Sequence, residues 1–438
     1  MTRLKTVQNQ FSQTAKMRHF TFINEEMHAE KVSLKEIARA VGTPCYVYSS
    51  ATFERHFSVF KDSVKDIDAL IAYSVKANSN IGILATLSKL GAGADVVSGG
   101  ELQRALTAGI PANKIVFSGV GKTKDEIEAA AKAKIKIFNV ESIPELYAIN
   151  DIAAQMNYLA PIAFRVNPDV SAGGHEKIST GKKEDKFGIA WSKAEQAYAV
   201  AETCSNIEVV GIDVHIGSQI DHLEPFEKAI LKVGSLIKKL RSSGHNIRSF
   251  DIGGGLGIPY GDKSIIPPNP ANYGAMVKRL TQELNVEMIF EPGRMISGNA
   301  GILLSTVLYV KKGEDRNFLI IDAAMNDLLR PALYDAYHEI EPVRKNPENS
   351  QIKKYDIVGP ICESSDTFTK SRELPIIEQG ELIVMHTTGA YGASQSSQYN
   401  TRPLVPEVLV KGNKYEVVRK RPTINDILKS ENIPTWLI

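Results

Sequence analysis

The sequence predicts an α/β protein: a (β/α)8 TIM-like barrel followed by a β-rich C-terminal domain. Three observations carry that prediction. Between residues 70 and 295, eight short β-branched or apolar runs alternate with helical segments. After about residue 300 short alternating runs, separated by turn residues, replace the helices. No G-x-G-x-x-G fingerprint follows the first strand, where an open dinucleotide-binding sheet would carry one.

The eight runs are Ala72–Lys76, Ala94–Ser98, Ile115–Gly119, Ile137–Glu141, Ala163–Asn167, Ile212–Gly217, Phe250–Gly254 and Met288–Pro292. Ile81–Leu90, Glu101–Ala108, Lys124–Lys132, Glu224–Leu240 and Asn272–Leu284 lie between them, with apolar residues at three- and four-residue spacing. Strand–helix alternation implies parallel pairing through crossover helices, and eight such units make a closed barrel of about 250 residues. Beyond it, strands are expected at Leu303–Val310, Asn317–Ile321, Lys354–Val358, Glu381–His386, Glu407–Val410 and Tyr415–Arg419. Phe20–Phe22 is a candidate strand outside the barrel pattern. The expected division is an N-terminal segment, 1–44, packing with the β domain; a barrel, 45–298; and the β-rich domain, 299–438.

Composition excludes several functional classes. Lys and Arg number 52 against 50 Asp and Glu, so no basic excess points to nucleic acid. No apolar run approaches the roughly 18–20 residues that span a bilayer. The three cysteines lie far apart, which gives neither a disulfide framework nor metal-ligand spacing and fits a reducing, cytoplasmic compartment. The first twenty residues hold four basic and no acidic residues, which reads as a mobile polar tail and leaves organelle targeting open. The nine histidines form no H-x-x-x-H pair, and neither an EF-hand loop nor a G-x-S-x-G elbow is present, so no metal is expected.

In a barrel of this kind the C-terminal strand ends carry the chemistry. Here they hold Lys76, Ser98, Gly119, Glu141, Asn167, His215, Gly253–Gly255 and Glu291–Arg294. One lysine, one histidine, a glycine-rich loop and a carboxylate near an arginine suit a phosphate-bearing cofactor with an aldehyde. A partly desolvated Lys76 would be a nucleophile able to form a Schiff base. By position alone, a lysine reaching back to water is the commoner case. The glycines from Gly253 to Gly257 would let backbone N–H groups approach a phosphate, helped by a following helix N-terminus, or would make a tight turn. Glu291 facing a pyridine nitrogen would keep it protonated, and Arg294 would hold a substrate carboxylate; a strand-end salt bridge also fits. His215 would stack on a planar ring or shuttle a proton, although a lone histidine is more often structural.

YSVKAN (73–78), DVVSGGEL (95–102), HIGSQ (215–219), DIGGGLGIPY (251–260), EPGR (291–294), LLRPALY (328–334), GPICESSD (359–366) and GAYG (389–392) together carry a resemblance. In that order, across residues 45 to 420, the chain resembles the diaminopimelate decarboxylases, the barrel-type (fold type III) family of pyridoxal-phosphate decarboxylases. The resemblance implies decarboxylation of meso-2,6-diaminopimelate to L-lysine and CO2, the last step of lysine biosynthesis. It implies pyridoxal 5'-phosphate as a Schiff base on Lys76, with His215 stacked on its ring and Glu291 on its pyridinium nitrogen. Ser218, Gly254, Gly255, Pro292, Gly293 and Arg294 would surround ring and phosphate, with Tyr391 nearby. Arg294, Arg330, Tyr334, Glu363 and Tyr391 would bind substrate, and Cys362 would return the proton. The family resemblance also implies a homodimer whose active site is shared, the CESSD loop coming from the partner chain.

His175 through Gly188 resembles the family's loop over the active site, and Gln395 and Gln398 stand where Met and Asn are expected. Sister enzymes acting on arginine, ornithine or carboxynorspermidine are the nearest alternatives. The substrate-side arginines argue against the simple diamine producers, and carboxynorspermidine is the hardest to separate. A racemase would need a second base, for which no motif is present. A non-catalytic cofactor carrier is typically a lone barrel.

Overall fold

A computed structural model describes residues 18–171, 186–261, 266–347 and 349–438. The N-terminal tail and the loop from His175 up to Lys186 lie outside them. The described residues form two compact units. One holds the described residues within 1–53, 259–263 and 297–438, the other those within 54–258 and 264–296.

In the second unit eight parallel strands close on themselves: Ala69–Ser74, Gly93–Val96, Ile115–Phe117, Ile137–Val140, Ala160–Asn167, Ile207–Asp213, Ser249–Asp251 and Glu287–Phe290. The eighth returns to the first, with Met288 opposite Ala69. This is the expected TIM-like barrel. Seven of the eight strands stop one to four residues before the predicted run ends. Past the last ladder bond the backbone turns out of the sheet, and the chain there lines the barrel mouth.

Side chains alternate along a strand with period two, which decides what fills the barrel. Leu70, Ala72, Val116, Ile137, Ala163, Val210 and Ile289 form a buried apolar layer. Two positions further on stand Ser74, Ser118, Asn139, Arg165 and Glu291, also buried. Asp95, Asp213 and Asp251 join them, so the filling turns polar toward the C-terminal ends. Buried polar groups are costly unless partnered, so this layer needs an account of its own.

Side-chain caps start the helices after the first four strands. Asn80, Ser98, Thr123 and Ser142 accept from the backbone N–H of Gly82, Glu101, Glu126 and Glu145. Glu224–Ser242 buries Phe226, Ala229, Ile230, Val233, Ile237 and Leu240, the three- and four-residue rhythm seen in the sequence.

The first unit is built on a mixed sheet. Its long strand Gly301–Lys312 pairs with Asn317–Ile321, Leu382–Met385 and Cys45–Ser49. Cys45–Ser49, placed with the barrel by a boundary at residue 45, is thus hydrogen-bonded into this sheet and also pairs with Glu407–Lys411. Phe20–Ile23 pairs with Glu26–Ala29, and Phe20, Met27, Leu34 and Ile37 share one core with Val47, Ile302, Val384 and Val408. Thr367–Pro375 was not anticipated; it is an edge strand, and its charged TKSRE stretch masks alternation. Among the described residues no helix is long and apolar enough to cross a membrane.

Candidate active site

Lys76 stands two residues past the first strand, in the turn Val75–Ala77. Its Nζ lies 2.7 Å from Asp95 Oδ2, and Ser74 Oγ donates to the same oxygen at 2.7 Å. Asp95 is fully buried, while the Lys76 side chain is about one-third exposed. The other carboxylate oxygen of Asp95 has no hydrogen-bond partner. Nearby, Glu101 accepts from the Val97 N–H at 2.8 Å. Burial, with the Asp95 charge adding, pushes its carboxyl up to about 7.

Glu291 directly follows the eighth strand, buried beside two other carboxylates. One oxygen each of Glu291, Asp213 and Asp251 lies within 4.8 Å of the others. Ser118 Oγ donates to Glu291 at 3.3 Å, and Asn139 Nδ2 reaches both Ser118 and Asp251, at 3.2 and 3.3 Å. Burial, then the charges of Asp251, Asp95 and Asp213, hold the Glu291 carboxyl well above the ordinary range. Burial likewise pushes Asp251 up to about 6. Arg165 donates to Glu141 at 3.0 Å and lies 4.0 Å from Asp213. Among the described residues, five buried carboxylates (Asp95, Glu141, Asp213, Asp251 and Glu291) therefore stand with two cations, Arg165 and Lys76. A cationic ring nitrogen beside Glu291 would offset that excess, so the residues present fit a pyridinium cofactor.

His215 follows the sixth strand. The Gly254 N–H donates to its Nδ1 at 3.2 Å, which leaves the ring proton on Nε2. Burial first, then the charges of Arg165 and Lys76, hold it far below its ordinary pKa. It is a neutral, flat group. The glycine loop beside it is required by packing: a Cβ on Gly254 would sit 2.3 Å from the Glu291 carbonyl oxygen. Gly255 has φ +107° and would bring a Cβ within 2.5 Å of the Gly217 carbonyl. One expectation is corrected. Among the described residues no helix begins directly after the glycines; the next described one is Pro270–Thr281. The helical turn beside the site is Arg294–Ser297, following Pro292 and Gly293. Arg294 is buried and donates to Ser218 Oγ at 2.9 Å. Gly293 packs so closely that a Cβ would meet Ser74 at 2.9 Å.

Three other strand-end residues serve the scaffold. Ser98 caps a helix, the Gly119 N–H donates to Glu141 at 3.1 Å, and Asn167 accepts from the Asp169 N–H at 2.9 Å.

The remaining predicted residues belong to the other unit. Arg330 is buried at the start of the helix Arg330–Tyr334, with Nη1 2.9 Å from His338 Nε2 and its guanidinium 4.4 Å over the Tyr260 ring. Gln395 Nε2 reaches the Tyr334 hydroxyl at 3.5 Å. Cys362 and Glu363 are exposed. Glu363 accepts from Tyr399, through a short bond, and from Ser365 at 2.8 Å; these bonds lower its pKa. Tyr391 has φ 55°, between the close-packed Gly389 and Gly392.

Sequence reasoning assigned no role to Asp95, Asn139, Arg165, Asp213 or Asp251, although each lies in or beside a quoted strand run. The available signal was a polar residue at an inward position of period two, repeated on successive strands.

The pyridoxal-binding domain of the pyridoxal-dependent decarboxylases matches residues 50–298. The chain is 49% identical to the diaminopimelate decarboxylase of Vibrio cholerae over 409 residues, 93% of this chain and 97% of that protein. It is similar to the Helicobacter pylori diaminopimelate decarboxylase crystallised with L-lysine: TM-score 0.86, 42% identity, 90% of this chain and 98% of that one. The corresponding M. jannaschii enzyme, also in complex with L-lysine, gives TM-score 0.91 at 36% identity, over 96% of this chain and 99% of that one. A closed barrel with lysine, histidine and carboxylate at its mouth, and likeness over nearly the whole chain, place this protein in the diaminopimelate decarboxylase family of pyridoxal-dependent decarboxylases.

Proposed function

We propose that this chain converts meso-2,6-diaminopimelate to L-lysine and CO2, with pyridoxal 5'-phosphate at the mouth of the barrel. The observation that carries the reading is the convergence of Lys76 with Asp95, neutral His215 and buried Glu291 at four strand ends. The L-lysine complexes of two relatives support the product.

Bound there, the cofactor supplies an electron sink for the electron pair left when CO2 departs. Lys76 Nζ is the amine that would hold the cofactor's aldehyde, and Asp95, 2.7 Å away, would orient that amine. Glu291 would keep the ring nitrogen protonated, and Ser118, which donates to its carboxylate, would hold it in place. His215 offers an uncharged face to the ring. Ser218, Gly254, Gly255, Pro292, Gly293 and Arg294 would hold ring and phosphate, and Tyr391 is assigned to the cofactor as well. Arg294 and Arg330 suit substrate carboxylates through paired hydrogen bonds, and Glu363 suits the distal ammonium. Tyr334 and Tyr391 complete the substrate contacts. Cys362 Sγ gives its proton to the carbon that lost CO2. Cys362 and Glu363 are exposed residues of one loop, which supports their delivery to the site of a second copy. Three free cysteines support a cytoplasmic setting.

CO2 release from meso-diaminopimelate, with and without pyridoxal 5'-phosphate, tests the reading against L-lysine, L-ornithine, L-arginine and carboxynorspermidine. Cofactor-dependent release with L-lysine as product is expected. Release from another substrate only would move the enzyme to a sister activity and reassign Arg330 and Glu363.

A further inference from the structure

We infer that His338 is a positioning residue for Arg330, and through it sets affinity for a substrate with a carboxylate on its distal end. The inference rests on Arg330 being the distal-carboxylate group. A guanidinium only donates, so the 2.9 Å contact between Arg330 Nη1 and His338 Nε2 makes Nε2 the acceptor. His338 Nδ1 lies 2.8 Å from the His386 carbonyl oxygen, which only accepts. Nδ1 must therefore carry the proton. Together the two bonds select one neutral tautomer of a side chain that is buried.

Other contacts fix both partners. The Arg330 guanidinium lies 4.4 Å over the Tyr260 ring, and that ring meets His338 edge-on at 5.4 Å and 85°. Arg372 Nη2 donates to the His338 carbonyl at 3.1 Å. One edge of the guanidinium is thus committed to His338 and one face to Tyr260. That sets the plane of the fork, and a fork binds a carboxylate through two parallel bonds only when its plane is set. Tyr260, at the end of the DIGGGLGIPY segment, belongs to the β-rich unit. The segment following the seventh barrel strand therefore also supplies a wall for Arg330.

The test uses cofactor-loaded enzyme and the variants His338→Leu, His338→Gln and Arg330→Ala. Leu removes the acceptor, while Gln can offer an amide oxygen at similar reach. His338→Leu should raise KM for meso-diaminopimelate roughly tenfold with kcat changed less than about threefold, and His338→Gln should recover most of the loss. Inhibition by L-lysine, which keeps the distal carboxylate, should weaken by the same factor. Inhibition by cadaverine, which has none, should not change. If Arg330→Ala raises KM and His338→Leu does not, the positioning role is overturned and Arg330 stands. If neither raises it, both assignments fall. Equal weakening of L-lysine and cadaverine by His338→Leu would overturn the role in favour of a general structural one.

Discussion

Lys76 and Asp95 form an ion pair at the barrel mouth, and their 2.7 Å bond ties a partly buried amine to a fully buried carboxylate. Lys76→Ala should reduce turnover by on the order of a thousandfold or more. Near-normal turnover in cofactor-saturated mutant would refute its assignment. Glu101 allows a test on stability. Its folded pKa is raised, to about 7. Its favourable contribution is therefore full below the unfolded value of about 4.3 and lost as pH rises through 7. Without cofactor, Glu101→Gln should gain on the wild type by up to a few kcal/mol at pH 8, at about 1.4 kcal/mol per pKa unit, and show no gain at pH 4. Urea unfolding at the two pH values checks this; a gain that does not grow with pH would count against the buried, charge-crowded setting of Glu101. Lys76, His215 and Glu291 were legible as strand-end residues of unlike chemistry. Asp95 and Asp251 were not, because a single aspartate in an apolar run has the same appearance whether it points into the barrel or away from it.

The barrel strands were legible because period two and period 3.6 are written in short stretches of chain, whereas the edge strand Thr367–Pro375 was not. The ends of the barrel strands were less legible. The predicted strands ran through Lys76 and His215, whereas the ladder stops at Ser74 and Asp213. The glycine loop shows the same limit. Its spacing left a phosphate cradle with a helix behind it and a tight turn equally open; the fold gives Gly253 and Gly255 the positive φ of a turn and uses Gly254 to let the loop pass the backbone of Glu291. Gly254→Ala should therefore lower cofactor affinity at least tenfold, by displacing Glu291 and His215 together. Ser98→Ala should cost only about 1 kcal/mol of stability and leave KM unchanged. Fluorescence titration of cofactor into both variants separates the two cases. Tight cofactor binding by Gly254→Ala would mean that the loop shifts without disturbing the site.

Activity of the whole molecule depends, on the proposed reading, on two copies. Lys76→Ala and Cys362→Ala chains, each inactive alone, should regain activity when mixed, since a hybrid dimer would carry one site with both groups intact. At random exchange, about a quarter of wild-type activity is the ceiling. No recovery after proven subunit exchange would count against a site shared across a dimer. The division of the chain is an instance of distant pairing. Cys45–Ser49 lies just before the barrel in sequence, yet Gly301–Lys312 and Glu407–Lys411 hold it in the β-rich sheet. No local pattern announces such a pairing, because its partners are more than 250 residues away.

Local periodicity, strand-end chemistry and the eight ordered motifs were enough to reach the barrel, the cofactor class and the family from the linear chain. Each depends on residues within a few positions of one another, where spacing maps directly onto geometry. Folding in three dimensions added the buried carboxylate cluster, the tautomer of His215 and the setting of Arg330 between His338 and Tyr260. All three need groups from separate strands or loops at hydrogen-bond or van der Waals distance. Burial then changes their protonation, which no residue's identity alone prescribes.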